Sequence, residues 1–232
     1  MFYFLAEGGN FFKMIVYATE HGKYFSVAES LKKDSETPRG IYINLTNLCN
    51  NDCVFCLREK KNMAEESSLW LKKIPTVEEI QTEILKVPEK IIKEFVFCGF
   101  GEPTMRLEEL LQLLKFLKKK FPTVPTRLNT NGLAELEYDG ENVAEKFAGI
   151  LDVASISLNS ATAEKYLKIT RSKFGLKSYA AMLDFAEHMK NFVPQVVMTI
   201  VDKVTPPEEI EECKKICAER NLTLRVRPYE DS

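Results

Sequence analysis

Residues 41–56 read IYINLTNLCNNDCVFC, an apolar-rich run followed at once by three of the chain's six cysteines. The reading of this stretch decides the fold that the rest must build. Its first half alternates Ile41 and Ile43 with Tyr42 and Asn44, as a strand with two unlike faces would. Its second half crowds Cys49, Cys53 and Cys56 onto one loop with the spacing C-x3-C-x2-C. A strand that runs straight into a loop of reactive side chains is the working unit of α/β proteins, where sites gather at the carboxyl ends of parallel strands.

Outward from this stretch the same rhythm continues. Further β-type runs are FVFCG (95–99), TRLNT (126–130), VASISLN (153–159), VVMTIV (196–201) and LTLRVR (222–227). The chain between them is too long for hairpins and suits crossover helices that return each strand parallel to the last. Thr76 and Glu79 form a capping-box pattern ahead of EIQTEILKV. Thr205, Pro206 and Glu208 repeat a start signal before EIEECKKICAERN, with proline expected at the first helical position. LEELLQLLKFLKKKF (107–121) has leucines at helical spacing, and residues 175–190 form a further expected helix. Residues 1–40 break the rhythm. There KMIVYA and KYFSV flank TEHG as a possible hairpin, and LKKDSETPRG reads as a connector. The expected organisation is an N-terminal appendage over 1–40 and one α/β domain over 41–232.

At 232 residues and 45% hydrophobic content the chain can bury a core without disulfides. Its formal net charge of -2 excludes the broad positive field of a protein that lives on nucleic acid. The apolar start is interrupted by Glu7 and Lys13, and no run reaches the roughly 20 apolar residues of a spanning helix, so no membrane association is expected. A cytoplasmic location follows, in which clustered thiols serve metals or catalysis. Three thiolates on one loop can hold three iron corners of a cubane cluster and leave the fourth corner open. The alternative is a zinc site completed by Cys98 or His21, or a non-catalytic electron-transfer module, either of which needs a fourth ligand.

The cysteine spacing, with Phe55 just before the last thiol, resembles the signature of the radical S-adenosylmethionine (SAM) superfamily. CGFGEPT (98–104) looks like its GGEP-type turn, with Phe100 in place of a usual glycine. LNTNGL (128–133) and SISLNS (155–160) look like its third and fourth strand ends. The finer likeness, in YINLTN, LWL, FCGFGEPT and TNGLA, is to the TatD-associated radical SAM proteins. The resemblance covers about residues 41–232. It implies a partial (β/α)6 barrel with parallel strands, plus the short N-terminal appendage. It also implies a [4Fe-4S] cluster on Cys49, Cys53 and Cys56, and SAM held by Phe55, Gly101, Glu102, Pro103, Asn129, Asn131, Ser157 and Asn159. The implied reaction is reductive cleavage of SAM to a 5'-deoxyadenosyl radical that takes hydrogen from a small-molecule, protein or RNA substrate. The implied partners are an electron donor such as flavodoxin or ferredoxin, a TatD-type nuclease, or a protein that receives a glycyl radical. Apart from the family, the alternation in SISLNS turns Ser155, Ser157 and Asn159 to one face. Hydroxyls and amides inside a barrel suit a polar ligand better than a packed core.

Other residues weigh less. Cys213 and Cys217 share a helix face and are expected to be buried and inert. Cys98 reads as a small core residue or a thiol near the site. Arg225 and Arg227 share a strand face and are either anion contacts or charges guarding an edge. Arg171 is a similar candidate. His21, His188 and the lysines 118–120 are expected on solvated faces.

Overall fold

The computed structural model describes residues 14–60 and 68–229. Three short strands and a helix open this span: β1 (Val16–Glu20), β2 (Lys23–Ser26), α1 (Val27–Lys33) and β3 (Arg39–Ile43). His21 and Gly22, with φ of 46 and 73 degrees, make the tight turn between β1 and β2. Two left-handed residues are what a two-residue hairpin needs to match strand twist. Ser26 and Glu29 close a capping box at the start of α1. The hairpin does not stand apart from the sheet, because β1 pairs antiparallel with β3 through Val16 opposite Ile43 and Tyr17 opposite Tyr42.

The remaining strands are β4 (Ile92–Phe97), β5 (Thr126–Thr130), β6 (Val153–Ser157), β7 (Gln195–Val201) and β8 (Thr223–Arg227). The helices after α1 are α2 (Leu57–Lys60), α3 (Val77–Leu85), α4 (Leu107–Lys120), α5 (Ala134–Glu137), α6 (Ala163–Thr170), α7 (Lys177–Met189) and α8 (Pro207–Glu219). Among the described residues the strands form one sheet in the order β2-β1-β3-β4-β5-β6-β7-β8. From β3 to β8 every neighbouring pair is parallel. The six runs expected from the sequence are these six strands. The sheet is open, with β2 and β8 at its two edges, and is a partial α/β barrel.

Alternation decides which side chains face the helices. Ile41, Ile43, Phe95, Phe97, Leu128, Ala154, Ile156, Met198 and Ile200 enter the main core. Leu107, Leu110, Leu111, Leu113, Leu114 and Leu117 of α4 pack on it. The other row looks into the lumen: Tyr42 and Asn44, Val96 and Cys98, Arg127 and Asn129, Ser155 and Ser157, Val197 and Thr199, Arg225 and Arg227. A second, smaller core of Met14, Tyr17, Tyr24, Leu69 and Phe100 fastens the hairpin beside this lumen, with Tyr42 and Leu57 packed against it. Tyr17 stacks on Tyr42 at 5.2 Å between ring centres and donates its hydroxyl to the Cys98 carbonyl at 3.1 Å. Phe100, the residue that departs from the glycine of the family turn, is therefore an anchor for the hairpin.

Two local expectations are corrected. Helix α8 starts with Pro207, not Pro206, at the first position, and no side chain caps it. The Thr205 hydroxyl instead donates to the Asn159 carbonyl at 3.3 Å. Lys118 is not merely solvated, since its ammonium lies 2.6 Å from both Asp152 oxygens at the foot of β6.

Candidate active site

The cysteine loop takes its shape from helix α6. The last carbonyls of a helix have no partner within it, and here those of Ile169 and Thr170 accept from the Val54 and Asp52 amides, each at 2.9 Å. Beyond the helix, Arg171 turns left-handed at φ 47 degrees, and the Lys173 amide donates to the Asn50 carbonyl at 3.0 Å. Within the loop, the Cys56 amide donates to the Cys53 carbonyl at 3.0 Å and the Asn51 amide to Cys49 Sγ at 3.4 Å. All three thiols are half-buried, as is Phe55. Burial first, and then the Glu102 carboxylate, pushes the Cys49 thiol up to about 11. Burial and the two neighbouring thiols push Cys53 up to about 12.

The turn after β4 locks onto this loop from the other side. A Cβ on Gly101 would lie 2.3 Å from the Thr46 carbonyl oxygen and 2.6 Å from that of Leu48. Only glycine lets the two backbones meet, and the Glu102 amide then donates to Leu48 O at 2.7 Å. The Glu102 carboxylate is buried and fully engaged. Its Oε1 accepts from the Thr104 amide (3.1 Å) and from the hydroxyls of Thr104 and Thr130 (2.8 Å each), while Oε2 accepts from the Asn131 amide at 2.7 Å. Desolvation still raises its pKa, against these four bonds. Glu102 thus ties the β4 turn to the end of β5. Pro103 is buried at the start of the one-turn helix over Pro103–Arg106, which Glu102 caps.

The other expected contacts divide by what they already bond. Asn131 is committed: its amide donates to Asn50 Oδ1 at 2.5 Å and lies 3.9 Å from Cys49 Sγ, and its oxygen accepts from Leu133 N at 3.1 Å. Asn129 Oδ1, by contrast, is buried without a partner. Ser157 is half-exposed on the lumen face, and Asn159 sits just beyond β6 in the left-handed region at φ 60 degrees. Cys98, in the lumen, lies within the influence of Asn129, Arg227 and Glu102. Cys213 and Cys217 are on α8 in the apolar core. Arg171 pairs with Asp52 of the cysteine loop at 3.5 Å, and His188 with Glu135 at 3.0 Å.

Sequence reasoning overlooked Asn44, Asn51 and Gly99. The Asn44 amide holds Leu69 O at 2.6 Å, and a Cβ on Gly99 would lie 2.1 Å from Asn44 Oδ1. The signal was the density of asparagines in NLTNLCNN, which is more than a turn requires. Both polar atoms of the Asn51 side chain, between Cys49 and Cys53, are buried and unpartnered.

This donor set fits a three-cysteine cluster. Burial raises the Cys49 and Cys53 thiols, and iron is the kind of positive charge that would hold them as thiolates. The buried Asn51 amide, beside the Tyr166 hydroxyl, would be a donor available to a group held on the cysteine loop. Among the described residues no three His, Cys, Asp or Glu side chains close on one point as a single ion requires. A cubane asks for a wider set, one sulfur to each of three irons.

Residues 43–217 match the family described as the Radical SAM superfamily. The chain belongs to that superfamily. Members of the radical SAM superfamily use a [4Fe-4S] cluster and SAM. Among curated relatives, a probable GTP 3',8-cyclase of Thermococcus kodakarensis is 30% identical over 190 residues, covering 81% of this chain and 56% of the relative. A GTP 3',8-cyclase of Aquifex aeolicus is 28% identical over 201 residues, covering 87% and 59%. The chain thus spans little more than half the length of these relatives. The crystal structure of Streptococcus suis SuiB bound to S-adenosylmethionine superposes with a TM-score of 0.63 at 16% identity, over 88% of this chain and 43% of SuiB. A radical SAM methyltransferase from Sphaerobacter thermophilus gives 0.57 at 15%, over 82% and 55%. These two likenesses concern the radical SAM fold alone. No helix among the described residues is long and apolar enough to cross a membrane.

Proposed function

We propose that this chain cleaves SAM reductively, with Cys49, Cys53 and Cys56 holding the cluster. When bound, the cluster supplies one electron to SAM, which yields methionine and a 5'-deoxyadenosyl radical for hydrogen abstraction. The chain's own residues fix where this happens. The α6 carbonyls and Gly101 hold the cysteine loop against the end of β4. The turn 101–103 offers backbone groups to the methionine end of SAM, and the Glu102 side chain keeps that turn in place. Asn129, Ser157 and Asn159 have polar atoms free for the ribose and carboxylate, while Asn131 braces Asn50 and the loop. Phe55 shields the cluster or packs on the adenine.

The observation that carries this reading is the clamped loop: three half-buried thiols held between α6 and the β4 turn by backbone hydrogen bonds. Anaerobic reconstitution followed by dithionite and SAM tests it. Release of 5'-deoxyadenosine is expected, with loss in Cys53→Ala; no release from iron-loaded protein defeats the proposal.

The relatives' names make GTP the first substrate to assay. The TatD-associated likeness rests on sequence motifs, and an association with a TatD-type nuclease is tested by copurification. A cytoplasmic setting with flavodoxin or ferredoxin as electron donor accords with the reducing chemistry.

A further inference from the structure

The lumen row of side chains changes character along the sheet. Asn44, Asn129, Ser155 and Ser157 are neutral, whereas β5 and β8 bring three guanidiniums to the same face. On β8, Leu224 packs toward the helices, so Arg225 and Arg227 take the lumen side, in register with Thr199 and Val201 of β7. Arg127 is matched, since its Nη2 donates to Glu94 Oε1 at 2.6 Å. Among the described residues the side chains of Arg225 and Arg227 make no hydrogen bond or ion pair.

Arg225 is exposed and Arg227 half-buried on this edge strand. Arg225 lies within electrostatic range of Arg227 on its own strand and of Arg127, Glu94 and Tyr42 on β5, β4 and β3, and burial and the two like charges lower its pKa. Arg227 bears on the Cys98 thiol at the end of β4. The sheet therefore curls until β8 faces β3, β4 and β5 across the lumen. Two guanidiniums share that side of β8, and Glu94, the carboxylate that acts on Arg225, is hydrogen-bonded to a third, Arg127. Such a pair gains most from an oxyanion, whose geometry matches the fork of donors that each arginine presents.

We propose that Arg225 and Arg227 form the anion-binding part of the substrate site, gripping a phosphate or carboxylate group of the molecule that the radical attacks. The Arg127–Glu94 pair lies behind them, with Glu94 bonded to Arg127 and to neither of them. This rests on the reading of the chain as a SAM-cleaving enzyme.

The test titrates cluster-loaded protein with pyrophosphate and, separately, with malonate, by calorimetry. Saturable binding of at least one is expected, weakened about tenfold or more in Arg225→Gln and in Arg227→Gln, the loss of one charge-assisted contact. Lys120→Gln, at an exposed lysine on the end of α4, leaves the affinity unchanged. Preference for pyrophosphate assigns a phosphate and preference for malonate a carboxylate. Should a glutamine variant fold poorly, Arg225→Lys and Arg227→Lys keep the charge but lose the fork, and a several-fold drop is expected. No saturable binding, or equal affinity in the variants and the unaltered protein, overturns the assignment. SAM cleavage by the unaltered protein is measured alongside. Cleavage without anion binding sinks this inference alone, and anion binding without cleavage sinks the SAM reading while the anion site stands.

Discussion

Two groups of cysteines sit in one molecule under different constraints. Cys49, Cys53 and Cys56 lie on a loop whose backbone is bonded to α6 and to the β4 turn, and all three are half-buried. Cys213 and Cys217 lie on α8 inside the apolar core. Burial raises thiol pKa values in both groups, to about 12 and about 11 for Cys213 and Cys217. A raised pKa therefore does not tell ligand from filler. What separates them is setting: the loop thiols are half-buried on irregular backbone bonded to α6 and the β4 turn, whereas the α8 pair is buried on a helix face, with Glu209 acting on Cys213.

Substitutions break this comparison or sharpen it. The largest effect is expected in Cys56→Ala, which should lose the iron-cluster absorption and 5'-deoxyadenosine formation altogether, while Cys213→Ala retains full iron content. Equal iron in both variants would erase the distinction. Next comes Glu102→Gln. The amide cannot accept all four bonds, so a loss of about 2–3 kcal/mol in urea unfolding is expected, together with weaker iron uptake, because the loop loses its brace. Cys213→Ala and Cys217→Ala should each cost about 1 kcal/mol through a small cavity, read as a lower melting temperature with unaltered SAM cleavage.

The smallest effect lies at the foot of the sheet. Asp152 is partly buried, which raises its pKa, but bonds from Lys118 and Thr126 outweigh this and lower it overall. A carboxyl lowered on folding contributes stability above its unfolded pKa, about 3.9 for aspartate, and loses that contribution as pH falls through the folded value. The stability gap between the unaltered protein and Asp152→Asn should narrow below about pH 4, measured as urea midpoints. A constant gap refutes the ion pair's role. Iron loading should not change.

Much of this was legible because it is local. Ile156 and Leu158 alternate with Ser155 and Ser157, so the β6 faces follow from four letters. The cysteine spacing and the Thr76–Glu79 box are likewise written within a few residues, and the box forms as expected. What could not be read is what distant partners decide. The Glu102 backbone was the expected contact, and the side chain's bonds to Thr130 and Asn131 could not be foreseen, because only the β4–β5 pairing brings those residues to it. Phe100 looked like a departure until Tyr17 and Tyr24 came to rest beside it. Lys118 meets Asp152 at the foot of β6 only in the folded chain, and no periodicity in either segment encodes that meeting.

The bonds that complete the carboxyl end of α6 are the same bonds that shape the cysteine loop. Helix end and loop are therefore one mechanical unit: whatever loosens the last turn of α6 also frees the backbone that carries the thiols.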